Sequence, residues 1–324
     1  MDLTRRQVTG GAFALALASK TAAQPAPEWP AGKPLRIIVP FSAGSATDGA
    51  ARLYGDRLAR VLNTAVVIDN RPGASGIIAA ELVAKAAPDG TTIFVTSNTT
   101  HGANSSLFKK LSYDPVRDFA PVARLYMLPL YLTVRADSKA RNAAELIALS
   151  KTDPGKPTTF AWPNSSSRLA GESLRYAGGN ILGVPYKTNP QALVDLLGGV
   201  VDFGFVDLAA VAPHVKAGKL KLIGTMSNAR ASFTPDIPTI AESVPGFGVL
   251  SWAGVFLPAG VPQPIVQRLS AEFLRATADP EVGRRLRDMG DQPAPLGSRE
   301  FGEFVEAEIA GWRAKTHQLG IEPE

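Results

Sequence analysis

Leu35-Arg36-Ile37-Ile38-Val39-Pro40-Phe41-Ser42-Ala43-Gly44-Ser45-Ala46-Thr47-Asp48 decides the fold of this chain. Leu35 to Val39 is a short strand rich in β-branched residues, and Pro40 ends it. A loop of small residues follows, and Thr47 or Asp48 is placed to cap a helix. In that helix Ala50, Leu53, Tyr54, Leu58, Val61 and Leu62 recur at helical spacing and form one apolar face. Strands separated by such helices imply a parallel sheet with right-handed crossovers.

Outward from this stretch the pattern repeats. Residues 65–69 read as a strand, 70–76 as a loop, 77–87 as a helix, 88–90 as a turn and 91–96 as a third strand. A second set begins after a strand at 130–134. Helices are expected at 143–150, 167–177, 190–197 and 209–217, with strands at 158–161, 181–184, 201–206 and 220–225. The C-terminal part carries helices near 263–278, 281–289 and 299–318. The fold class is therefore α/β with two lobes, and two long extended stretches, about 126–135 and 248–257, can cross between them.

The 324 residues carry 34 Lys+Arg against 29 Asp+Glu, a formal charge of +5, and 45% are hydrophobic. This is a globular composition of about two domains. Zero cysteine excludes disulfides, thiol nucleophiles, iron–sulfur clusters and Cys-ligated zinc. His101, His214 and His317 have no metal-ligand spacing, so neither a metal nor a cofactor is expected. Residues 1–23 read as an export leader: Arg5-Arg6, an apolar run from Gly10 to Ala18, then Thr21-Ala22-Ala23 before the cut. The run is far short of the roughly 18 residues of a membrane span. The paired arginines and Lys20 point to the twin-arginine route, although Val8 and Thr9 are weak after the pair and general secretion is the alternative. The leader carries +2, which taken from +5 leaves about +3 on the mature chain. Lys/Arg runs never exceed two residues, so nucleic acid is not an expected partner.

In open α/β sheets ligands sit beyond the carboxyl ends of strands, against helix N-termini that favour anions. Loops 41–48, 70–76 and 163–167 are all small, polar and poor in charge, a composition that can hold a carboxylate with N–H and hydroxyl donors. Gly44-Ser45-Ala46-Thr47-Asp48-Gly49 is neither GxGxxG nor a P-loop, and Gly73-Ala74-Ser75-Gly76 is not G-x-S-x-G. An exported hydrolase would need Ser75 as nucleophile, and no His/Asp partner for it shows in the sequence. His214, within a helix, reads as structural.

Several strings, in order from about Trp29 to the end, resemble the solute receptors of tripartite tricarboxylate transporters, the Bug receptor family. They include Pro40-Phe41-x-x-Gly44-x-x-Thr47-Asp48, Asn70-Arg71-Pro72-Gly73-Ala74, Ala87-Pro88-Asp89-Gly90, Tyr113-Asp114-Pro115-Val116, Leu169-Ala170-Gly171-Glu172, Val184-Pro185-Tyr186-Lys187, Asp195-Leu196-Leu197-Gly198-Gly199 and Pro213-His214-x-Lys216-Ala217-Gly218. The resemblance implies a periplasmic, non-enzymatic, type II binding protein. Its first lobe would comprise 24–128 and 248–324, and its second 129–247. It would close over a small mono- or dicarboxylate and dock, as a monomer, on the membrane permease. A membrane signalling protein is the alternative partner.

The ligand contacts implied by the resemblance are Phe41, Ser42, Gly44, Ser45, Thr47 and Asp48, then Pro72, Gly73, Ala74, Ser75 and Gly76. Ser97, Asn98 and His101 follow the third strand. The second lobe would add Trp162, Asn164, Ser165, Ser166, Ser167, Arg168, Tyr186 and Asp207. Ala43, Ser45 and Ser75 replace the family's usual Pro, Gly and Gly. Asn164-Ser165-Ser166-Ser167-Arg168 replaces a Gly-x-Gly-Thr string followed by His. Val206 stands where an acidic residue is common. Arg168 is read either as a partner for a second carboxylate or as a solvated first-turn side chain. Trp162 is read either as a wall for the ligand body or as core.

Overall fold

The structure is a computed structural model that describes residues 29–323. The expected leader at 1–23 lies outside the described residues. The strands are β1 (Leu35–Val39), β2 (Val66–Asn70), β3 (Thr92–Ser97), β4 (Phe119–Met127), β5 (Leu130–Arg135), β6 (Thr158–Trp162), β7 (Ile181–Pro185), β8 (Phe203–Asp207), β9 (Leu220–Thr225), β10 (Trp252–Pro258) and β11 (Gln292–Leu296). The helices are α1 (Ala46–Leu62), α2 (Ile77–Ala84), α3 (Asn104–Leu107), α4 (Ala143–Ser150), α5 (Ser165–Tyr176), α6 (Asn189–Gly198), α7 (Leu208–Lys216), α8 (Gln263–Ala278), α9 (Pro280–Asp288) and α10 (Ser298–Gln318). Among the described residues no helix is long and apolar enough to cross a membrane. None of their His, Asp and Glu side chains form a group of three that could hold a metal.

Two sheets carry the two lobes, in the orders β11-β4-β10-β3-β1-β2 and β7-β6-β8-β5-β9. β1 runs parallel to β2 and β3, and β6 runs parallel to β7 and β8. The expected parallel pairing holds for these strands, while the crossing strands depart from it: β10 is antiparallel to β3 and β4, and β5 is antiparallel to β8 and β9. The cause is the crossing itself. The chain leaves the first sheet after Met127 and enters the second at Leu130, then leaves at Thr225 and re-enters at Trp252. A strand that enters a lobe from the cleft must run against strands that end there.

Ser45, extended and followed directly by helix, caps α1 by accepting the Asp48 N–H, so neither Thr47 nor Asp48 is the cap. Within α1, Ala50, Tyr54 and Leu58 are buried as expected, while Val61 is exposed. α2 stops at Ala84, short of residue 87, and α5 begins at Ser165, two residues earlier than expected. α5 lies close on β6 because residue 171 is glycine: a Cβ there would come 2.1 Å from the Phe160 ring. Two further strands, β4 and β11, and the helical turns over 99–107 join the elements expected from the sequence.

Candidate ligand-binding cleft

At the cleft β1, β2, β6, β7 and β8 each hand the chain to the start of a helix or helical turn. Three such junctions, after β1, β2 and β6, face one another across the lobes. They border a cavity of about 220 Å³ lined by Phe41, Ser42, Gly44, Ser45, Pro72, Gly73, Ser75, Gly76 and Asp207, all expected from the sequence, together with Pro40, Pro163 and the start of α6. Lys187, Thr188, Asn189, Pro190 and Leu193 supply that last wall and were not among the expected contacts. Their signal was the same strand–loop–helix pattern: Thr188 caps α6 directly after β7. Lys187 is exposed and brings the cation to the walls of this cavity.

A smaller chamber of about 30 Å³ adjoins it, walled by Ser45, Ala46, Thr47, Ser97, Asn164, Ser166 and Ser251 among others. The N–H groups of Ala46 and Thr47, first in α1, have no acceptor within the helix and carry its positive dipole end. No lysine or arginine lines this chamber. Its donors are neutral, and the Asp207 carboxyl, which burial raises, also lines it. A third chamber, about 380 Å³, is lined by Ala74, Ser75, Trp162, Ser165, Arg168 and Tyr186, with Phe108 and Lys187. It meets the main cavity at Ser75, Pro163 and Lys187. Here the Arg168 guanidinium lies 5.0 Å from the Trp162 ring centre, so both residues border the chamber while leaning on each other. The Tyr186 hydroxyl donates to Asp195 at 2.7 Å, and burial together with that carboxylate pushes it up to about 12.

Four expected contact residues sit behind these walls. Asp48 accepts the Gly44 N–H at 2.9 Å and Asn70 Nδ2 at 3.0 Å and pairs with Arg52, so it shapes the loop. Burial raises its carboxyl, but Arg52, the Gly44 N–H and Asn70 outweigh burial and hold it below the usual range. His101 is fully buried, stacked 3.7 Å from the Phe256 ring, and burial drives it down to about 3. It is a neutral core residue, because the chain coils over Thr99–Ala103 and turns the imidazole inward. Ser167 closes a capping box with Asn164. Asn98 is fully buried and spans the lobes: its Nδ2 donates to Ser166 Oγ at 2.9 Å, and its Oδ1 accepts from Ser251 Oγ. Ser165 Oγ likewise donates across to Asn104 Oδ1 at 3.2 Å, and Asn104 Nδ2 holds the Ser75 carbonyl. These bonds join the first turn of α5 to the first lobe.

Ser75 is held in the left-handed region, φ 50°, beside Ala74 at φ 45°. Among the described histidines, His101 is sealed in the core, His214 is half-buried on α7 and His317 is exposed on α10.

A family model described as the tripartite tricarboxylate transporter family receptor matches residues 50–321. A UPF0065 protein of Bordetella bronchiseptica is 38% identical over 310 residues, covering 95% of this chain and 91% of the relative. An R. palustris protein solved with adipate superposes at a TM-score of 0.87 with 32% identity, covering 92% of this chain and 100% of that one. MatC from Rhodopseudomonas palustris, solved with bound malate, superposes at 0.79 with 33% identity, covering 87% and 98%.

Proposed function

This chain belongs to the tripartite tricarboxylate transporter receptor family, the periplasmic solute-binding receptors, and we propose that it captures a small organic carboxylate between its two lobes. The observation that carries this reading is the chamber at the start of α1. Free N–H groups of Ala46 and Thr47 and the hydroxyls of Ser45, Ser97 and Ser166 converge there with no cation, beside the Asp207 carboxyl, which burial pushes toward its neutral form. A carboxylate fits such donors directly or through water. The main cavity, walled by Phe41, Pro72, Pro163 and Leu193, then takes the apolar body of the ligand. Lys187, at the junction with the outer chamber, is placed for a second anionic group. The two similar structures that hold adipate and malate support a dicarboxylate of this size.

The site residues of this reading are those lining the three chambers, with Asp48, Asn98, His101 and Ser167 as their supports. The chain is read as exported by its 1–23 leader, non-enzymatic, monomeric, and delivering its ligand to a multi-span permease. The test is a thermal-shift titration of protein that has been unfolded and refolded to strip carried-over ligand. Adipate, malate and monocarboxylates are the panel. A rise in midpoint with any of them supports the reading; no rise across the panel, with a rise for amino acids or sugars, overturns it. A permease gene beside this one supports delivery, whereas a sensor kinase gene in that place overturns it.

A further inference from the structure

We propose that Asn104 is a positioning residue that couples lobe closure to the Ser75 turn, so that docking of the second lobe tightens a loop of the first that borders the cavity. Asn104 begins α3 and is fully buried. Its Nδ2 donates to the Ser75 carbonyl at 3.0 Å and to the Tyr113 hydroxyl at 3.1 Å. Both amide hydrogens are thus committed within the first lobe. The Tyr113 hydroxyl in turn donates to the Thr100 carbonyl at 2.8 Å, so it accepts from Asn104, which fixes the end of the amide that carries the nitrogen. Oδ1 is left facing the second lobe, where it accepts from Ser165 Oγ at 3.2 Å. One buried amide holds the loop after β2 with one end and the first turn of α5 with the other.

The loop needs such a hold. Ala74 and Ser75 lie in the left-handed region, φ 45° and 50°, which L-residues avoid. The space beneath is full: a Cβ at Gly76 would lie 2.7 Å from Thr100 Cγ2 and 3.1 Å from Pro40 Cβ. Within the loop the Gly76 N–H closes the turn on the Gly73 carbonyl at 2.9 Å. A turn in this conformation is kept by contacts outside itself, and the bond from Asn104 to the Ser75 carbonyl is one that depends on the other lobe. An asparagine amide turns easily about its terminal torsion. Bonds at three points fix its plane. Withdrawal of Ser165 when the lobes part leaves two, and it removes the polarisation that the Ser165 hydroxyl lends to the N–H donors. Ser75 lines both the main cavity and the outer chamber, and Ser165 lines the outer one. By linkage, whatever settles the Ser75 turn favours the docked α5 to the same degree. The coupling rests on the reading of this cleft as a site closed by its two lobes.

The test needs no ligand, so its failure leaves the carboxylate reading standing. Hydrogen–deuterium exchange of the full chain, stripped of ligand by unfolding and refolding, is followed by mass spectrometry in peptides spanning 73–76. The wild type is compared with Ser165→Ala and Ser166→Ala. Each variant deletes one hydroxyl that bonds across the lobes, but Ser166 Oγ accepts from Asn98 and not from Asn104. Ser165→Ala is expected to speed exchange at 73–76 by about two- to tenfold, the worth of one hydrogen bond, although it lies in the other lobe. Ser166→Ala is expected not to speed it. Acceleration of the same size in both variants, or none in Ser165→Ala, overturns the proposal. Asn104→Ala should speed exchange there at least as much, and adding Ser165→Ala to it should bring no further change; an additive effect overturns the proposal. Should Asn104→Ala fail to fold, the comparison of Ser165→Ala with Ser166→Ala decides alone.

Discussion

At the scale of single residues, the loop after β2 holds the sharpest local conflict. Gly73, Ala74, Ser75 and Gly76 all have positive φ, and only two of them are glycine. An L-residue in this region costs about 1–2 kcal/mol. Ser75→Gly is therefore expected to raise stability by about 0.5–1 kcal/mol, the gain reduced by the larger entropy of the unfolded glycine; chemical denaturation reads it directly. The small residues marked this stretch as a loop, but nothing in their order shows that Ser75 carries the strain. Asp48 shows the other side of the same limit. Its family match made it a ligand contact, whereas its carboxylate turns back to Gly44, Asn70 and Arg52. Because its folded-state value is lowered, its contribution is present above the ordinary carboxylate range and is lost as pH falls through the folded value. Asp48→Asn should flatten the acid side of the stability–pH curve below about pH 4, where the ordinary aspartate value lies.

At the scale of elements, caps and edges decide what the pattern alone left open. The box between Asn164 and Ser167 starts α5. Asn164→Ala should cost about 1 kcal/mol, measured by thermal or chemical unfolding. It should also unsettle Ser165 and Ser166, which reach the first lobe from that turn. Most helices and parallel strands were legible because their apolar spacing repeats. β4 and β11 were not, since proline interrupts both. Pro121 is tolerated where the β10 register shifts between Val255 and Phe256, and Pro293 and Pro295 lie on an edge strand. Both escapes are properties of the neighbouring strand, not of the proline-containing one.

At the scale of the whole molecule, the two lobes act through what they share. A ligand that binds only the closed form at 100-fold excess over its Kd should stabilise the protein by about 2.7 kcal/mol, seen as a rise in melting temperature. Asn98→Ala removes the bridge to Ser166. It should weaken ligand binding about five- to tenfold, the worth of one buried hydrogen bond, with the fold retained; calorimetric titration checks it. The sequence by itself determined two α/β lobes, the strand–loop–helix junctions and most of the small polar residues at the cleft. Those follow from spacing, cap chemistry and residue size, which are local. Only the tertiary structure decided that β5 and β10 run against their neighbours, that His101 faces the core, and that the start of α6 walls the cavity. Each of these depends on which segments distant in the chain come together, and hydrophobic periodicity carries no record of that pairing.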